Sequence, residues 1–203
     1  MSSRQRIALL LAVTSATLAI AGSAQAQAFY LQEQAARGAG RAFSGETADT
    51  GAASLWWNPA AIAGIEDAEA TVSASVILPK GEVTDNGTVI RRPGGSFAPV
   101  GGSAQSSDPI NKGVLPSGAV AVPLGDRVAV GLAVTSPYSF TTDYDDNSWA
   151  RYSADRTYLR TFDIQPSIGV AVTDWLRVGA AANVEYTEAS LTNALPNLSA
   201  ALA

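Results

Sequence analysis

The sequence predicts an all-β protein: a transmembrane antiparallel β-barrel preceded by a small helical hatch. Three observations carry this prediction. The chain opens on an export signal. Hydrophobic residues make up 47% of it and charged residues 15%, yet beyond that signal no apolar run reaches the length of a spanning helix. From about residue 68 onward, apolar and polar side chains alternate with period two. Inside lipid only helices and closed barrels satisfy every backbone polar group, so an apolar exported chain without spanning helices points to a barrel.

Residues 1–26 read as a secretory signal peptide. Arg4 and Arg6 give a positive start, residues 7–21 are apolar apart from Thr14, Ser15 and Thr17, and Ala24-Gln25-Ala26 is a small-x-small cleavage site. The mature chain then starts at Gln27. Two of the 13 basic residues leave with the signal and none of the 18 acidic ones, so 11 minus 18 gives a net charge of −7. That acidity, with no basic run, argues against nucleic acid as a partner. The chain has no Cys and no His, which removes disulfides, a Ser-His-Asp triad and His-ligated zinc, and its only lysines are Lys80 and Lys112 in Gly-rich stretches. The reading is therefore not an enzyme, without cofactor or metal.

Residues 27–67 do not alternate. Small residues dominate, and Gly38, Gly40 and Gly45 interrupt helical periodicity. Asp49 or Ser54 is a candidate helix cap, and Asn58-Pro59 reads as a cap followed by Pro at the first helical position. The expected product is a compact bundle of short helices, whose natural place in front of a barrel is inside the lumen, as a hatch. Gly38-Ala39-Gly40 lacks the strand and the third glycine of a dinucleotide fingerprint, so crowded packing explains the glycines better.

Five ribbons follow, at residues 68–79, 114–122, 127–135, 157–172 and 175–186. In the first, Ala70, Val72, Ala74, Val76 and Leu78 oppose Thr71, Ser73, Ser75 and Ile77; in the fourth, Tyr158, Phe162, Ile164, Ile168, Val170 and Val172 oppose Thr161, Asp163, Gln165, Ser167 and Gly169. Such ribbons also suit a soluble sandwich. The connections favour the barrel: residues 123–126 and 173–174 are tight turns, whereas 80–113, 136–156 and everything after 187 are long. Tyr138, Phe140, Tyr158, Trp175 and Tyr186 sit near strand ends, as an interface girdle requires. Five strands cannot close a membrane barrel, and residues 190–203 read as a loop whose leucines are spaced for a helix interrupted by Pro196, so a fragment is expected.

The stretch from Phe29 to Ile65 resembles the N-terminal hatch of the FadL/TodX family of outer-membrane transporters for long-chain fatty acids and aromatic hydrocarbons. The matching elements are Gly38-x-Gly40-Arg41-Ala42-Phe43-Ser44-Gly45-Glu46 and, twelve residues later, Asn58-Pro59-Ala60. The resemblance implies a fourteen-stranded barrel, with residues 27–67 as hatch and 68–203 as its first five strands and loops. It also implies passive passage of a hydrophobic ligand and sideways exit through a gap at a kinked third strand. The positions it points to are Phe29, Asn58-Pro59-Ala60 and Ser136-Pro137-Tyr138-Ser139. The location implied is the Gram-negative outer membrane, among lipid and lipopolysaccharide, as a monomer when complete.

Alternatives remain open at this level. Pro137, which cannot donate to a sheet ladder, is equally an ordinary strand terminator and the origin of an opening. Trp56 and Trp57 are hatch packing against the wall or ligand contacts. Arg41 and Glu46 read as a hatch-to-wall charge network before a carboxylate-binding site, while Gly38, Gly40, Phe43 and Gly45 read as hatch packing. A general porin or structural barrel is the alternative function.

Overall fold

The structure, a computed structural model, describes residues 30–92 and 94–195. The signal peptide, Phe29 and residues 196–203 with their expected helical leucines lie outside the described residues. Among those described, no helix is long and apolar enough to cross a membrane. The strands are β1 (Glu69–Ile77), β2 (Glu82–Thr84), β3 (Val89–Arg91), β4 (Phe97–Pro99), β5 (Gln105–Ser107), β6 (Gly113–Pro123), β7 (Val128–Thr135), β8 (Ser139–Asp143), β9 (Arg156–Thr173), β10 (Leu176–Ala181) and β11 (Val184–Thr192). Seven of them make one antiparallel sheet in the order β1-β6-β7-β9-β10, with β8 and β11 also pairing β9. The sheet is thus a meander of five staves: β1, β6, β7 with β8, β9, and β10 with β11.

Its faces are inverted relative to a soluble protein. The outer face carries Val72, 90% exposed, with Val76, Val120, Leu132, Ile164, Ile168 and Val172 also exposed. The inner face carries small and polar residues: Ala121, Ala129, Ala133, Ser117, Thr135, Thr161, Asp163 and Gln165 are buried under the N-terminal segment. A sandwich buries its apolar side; this sheet turns that side outward, as contact with lipid demands.

The tight turns fall where the pattern placed them. Leu124 N–H donates to Val128 O at 2.7 Å across the β6–β7 turn, and Thr173 Oγ1 accepts from Leu176 N at 3.0 Å across the β9–β10 turn. The long connections differ from expectation. The first contains the small sheets β2–β5 and β3–β4. The second is shorter than expected, because strand three resumes at β8. The fifth stave runs on to Thr192, because β9 continues to Arg156 and pairs it there, so residues 190–192 are strand rather than loop.

One interruption has a covalent cause. The register puts Ala182, between β10 and β11, opposite Pro166. Ala182 N–H donates to Pro166 O at 3.1 Å, but Pro166 has no N–H to return the bond, and the stave breaks there. Pro166→Ala is expected to join β10 and β11, with the amide at position 166 protected from hydrogen exchange like its neighbours. Its net effect on stability should stay within about 1 kcal/mol, since one hydrogen bond is offset by a freer unfolded chain.

The N-terminal segment is less helical than expected: one five-residue α-helix, α1 (Ala36–Gly40), and 3₁₀ turns at Ala52–Ser54 and Pro59–Ile62. Gly38 and Gly40 lie within α1 rather than breaking it. Neither Asp49 nor Ser54 caps a helix: Gly51 takes the cap position of the first 3₁₀ turn, and Ser54 lies inside it, fully buried, accepting from Arg37 Nη2 at 2.6 Å. Asn58 does cap: its Oδ1 accepts from Ala60 N at 3.0 Å, with Pro59 at the first position, where a missing N–H costs nothing. Leu55 and Ile62, both fully buried, pack with Ala52 on Ala121, Ala129 and Ala133 of the wall.

The wall accommodates them by omitting side chains. A Cβ at Gly131 would lie 2.7 Å from Leu55 Cδ2, one at Gly169 2.9 Å from Ala63 N, and one at Gly179 2.3 Å from Ala60 N. Gly169 and Gly179 face each other across β9 and β10, forming a trough that holds the backbone of Pro59–Ile62.

Candidate functional site

Strand three changes register at Ser136-Pro137-Tyr138. Thr135 pairs with Asp163 and Ser139 with Arg160. Three residues therefore oppose two on β9, a bulge with one extra residue. The extra residue switches the inward face: Thr135 points inward before it, Phe140 opposite Leu159 after it. Pairing between β6 and β7 ends at Gly118 and Val134, and among the described strands β8 pairs with β9 and not with β6, its other edge bridging from Thr142 to Ile110. A seam therefore opens in the wall between β6 and β8.

Towards β9 the bulge is well bonded. Thr161 N–H donates to Tyr138 O at 2.9 Å, Tyr138 N–H donates to Thr161 Oγ1 at 2.9 Å, and Ser136 Oγ donates to Thr161 O at 2.7 Å. Towards the seam, other segments stand in for strand two. Leu31 N–H donates to Pro137 O at 2.9 Å, and Tyr30 bridges antiparallel to Tyr138. Gln34 Nε2 donates to Ser136 O at 2.9 Å while its Oε1 accepts from Ser136 N at 3.0 Å. Higher up, Asn111 N–H donates to Thr141 O at 2.8 Å and Asp143 N–H to Pro109 O at 2.9 Å. The seam holds a cleft of about 180 Å³ lined by Leu31, Ile77, Leu115 and Phe140, with Lys112 beside it.

An aromatic series leads from the N-terminal segment to the seam. Ring centroids step from Phe43 to Trp57 (6.5 Å), Trp57 to Trp56 (5.0 Å), Trp56 to Tyr30 (5.6 Å, stacked) and Tyr30 to Tyr138 (5.9 Å, edge-on). Burial raises the Tyr30 phenol above its usual pKa, and Tyr138 adds to the shift. Tyr138 thus faces inward to Tyr30 instead of joining an interface girdle. Trp56 also packs on the Leu55–Ile62 core.

The remaining sequence-derived positions fall into two groups. Glu46 is 1% exposed and pairs with Arg41 and, at 3.5 Å, with Arg37; Asp49 pairs with Arg41 at 3.0 Å. This network is internal to the N-terminal segment and does not reach the wall. The Thr50 amide, then Arg41 and Arg37, hold Asp49 below the ordinary carboxylate range. A carboxylate of the wall does reach the segment elsewhere: Glu69 of β1, whose Oε2 accepts from Ala52 N at 2.8 Å. Gly38 lies against Phe43 and Glu46, Gly40 borders open space, and Gly45 takes a left-handed φ of 83°. Asn58 Nδ2 also donates to Thr47 O at 2.8 Å, tying the two halves of the segment.

Gln34 and Ser117 carry no signal as site residues in the sequence, although Ser136, which Gln34 meets, lies in the stretch that the resemblance points to. Gln34 is 4% exposed and meets Ser136 across 102 positions. A glutamine in an alanine-rich run carries no periodic signal, and only the register change at Pro137 hints that a backbone there needs a substitute partner.

A family model described as outer membrane protein transport protein (OMPP1/FadL/TodX) matches residues 17–203. The chain belongs to this family. Among curated relatives, outer membrane protein P1 of Haemophilus influenzae is 30% identical over 184 residues, covering 88% of this chain and 40% of that protein. The 47 kDa outer membrane protein of Pasteurella multocida is 28% identical over 156 residues, covering 76% and 33%. The chain spans about 40% of the length of the first of these relatives. A crystal structure of a Pseudomonas aeruginosa FadL homologue superposes with a TM-score of 0.63 at 24% identity, over 80% of this chain and 38% of that one, a likeness of fold. The protein is a Gram-negative outer-membrane protein with a β-barrel-type antiparallel sheet.

Proposed function

We propose that the protein carries hydrophobic compounds, long-chain fatty acids or aromatic hydrocarbons, across the outer membrane by passive, hatch-gated lateral diffusion. The observation that supports this reading best is the seam between β6 and β8, where strand pairing stops at a one-residue bulge and a cleft opens beside Leu31 and Phe140. Residues 27–67 act as the hatch, with Trp56, Trp57, Tyr138 and the capped Asn58-Pro59-Ala60 turn on the ligand's path. An apolar solute then moves along apolar and aromatic side chains and leaves into the bilayer core. Each buried CH₂ contributes about 0.8 kcal/mol, so a long alkyl chain is held without many polar contacts. No energy coupling is needed, because the bilayer itself is the sink.

The test is a reversible lock. Ala36 N lies 2.9 Å from Ser73 Oγ, which places α1 directly against β1, and residues 1–203 contain no cysteine. Ala36→Cys with Ser73→Cys, in the full-length protein in vesicles, should lose transfer of a fluorescent fatty acid when oxidised and regain it with reductant. Unchanged transfer in the oxidised form, or sugar permeability like that of a general porin, overturns the reading.

A further inference from the structure

We propose that Gln34 is the latch of the wall: its carboxamide takes the place of strand two as the partner of Ser136, and its release opens the seam. The inference rests on the lateral-exit reading above and adds the group that controls the exit. A strand residue presents one N–H and one C=O to its neighbour, and a side-chain amide offers the matching acceptor and donor on two separate atoms, side by side as a strand does. Gln34 uses both on Ser136, at 3.0 and 2.9 Å. Its own backbone oxygen accepts from Ser117 Oγ of β6 at 2.5 Å. One buried residue of the hatch therefore ties strand two to strand three just beyond their last pair, Gly118 and Val134.

The position also explains why a latch is needed. Pro137 and the bulge turn strand three out of register with β6, so Ser136 has no sheet partner on that side. A backbone group left bare at the edge of a lipid-facing wall is costly, which keeps the latch closed until something displaces Tyr30–Gln34. Tyr30 stacks on Trp56 and touches Tyr138, so a ligand inserting among these rings pulls on the strip that carries Gln34. Displacing that strip frees Ser136 N–H, Ser136 C=O and the Ser117 hydroxyl together.

The experiment compares Gln34→Leu and Gln34→Glu with the full-length protein in vesicles. Gln34→Leu removes both bonds; Gln34→Glu, at a pH where its carboxylate is ionised, keeps the acceptor for Ser136 N–H but has no donor for Ser136 O. Expected is hydrogen exchange at the Ser136 amide about tenfold faster or more in Gln34→Leu and intermediate in Gln34→Glu, with faster transfer of a fluorescent fatty acid in the same order. Heat-modifiable migration reports whether each wall is folded; if Gln34→Leu fails to fold, Gln34→Glu alone decides, through Ser136 exchange. Equal Ser136 exchange in the folded variants and the parent overturns the latch. Faster exchange with unchanged transfer keeps the latch and overturns the lateral exit instead.

Discussion

Gly179→Ala should expel the N-terminal segment from its trough while leaving the wall folded. The added methyl carbon would lie 2.3 Å from Ala60 N and 2.5 Å from the carbonyl carbon of Pro59. Both are backbone atoms of a turn already fixed by the Asn58 cap and Pro59, so no side-chain rotation relieves the clash. Overpacking of this kind costs about 1–3 kcal/mol or more where neighbours cannot move, comparable to what seats so small a segment. The expected result is rapid tryptic cleavage after Arg37 and Arg41 with heat-modifiable migration of the wall retained. Gly40→Ala is the control, because open space surrounds that position. Equal protease resistance in Gly179→Ala and the parent would mean the trough does not hold the segment.

Deleting Pro137 should abolish transfer of apolar compounds. Two residues, Phe162 and Thr161, lie between Asp163 and Arg160 on β9, against three between Thr135 and Ser139. Removing one equalises the count, so β7 and β8 become a single strand that can pair with β6 down its length, and the seam closes. Transfer of a fluorescent fatty acid should fall to the protein-free background, with the barrel still folded. Pro137→Ala, which keeps the extra residue and hence the bulge, should retain most of it. If the deletion transports at the parental rate, the seam is not the exit.

How much of this was legible in the sequence depends on range. Period-two parity is local, so the faces of β1, β6, β7 and β9 follow from Val72 against Ser73 or Ile164 against Gln165 without further information. Short turns are equally local: Pro123–Asp126 and Thr173–Asp174 have few ways to connect strands. Strand five is different, since residues 190–192 are strand only because β9 reaches Arg156 to pair them. The spacing of Leu191 and Leu195 competed with that pairing and misled. The small sheets in the first long loop depend likewise on pairs such as Val83 with Ser106, far apart in a polar stretch. In the site, Pro137 reads in the sequence as a strand terminator or an opening, and Trp56 and Trp57 as packing or ligand contacts; their link to Tyr30 and Tyr138 is not legible there. That Gln34 fills the break was invisible, because the need for a carboxamide exists only once β6 and β8 have diverged.

The trough beneath Pro59 and Ala60 also fixes an order of events in biogenesis. The segment that occupies it is exported first, but Gly131, Gly169 and Gly179 enter the periplasm about 70 to 120 residues later. Contacts of that sequence separation form slowly, because a long loop must close before any of them is gained. Until β6 and β7 arrive, Leu55, Ile62 and Trp56 have no wall to pack on, and until β9 and β10 follow, Pro59 and Ala60 have no trough to enter. The glycines therefore set an order: the N-terminal segment is seated only after the part of the wall beneath it has been built.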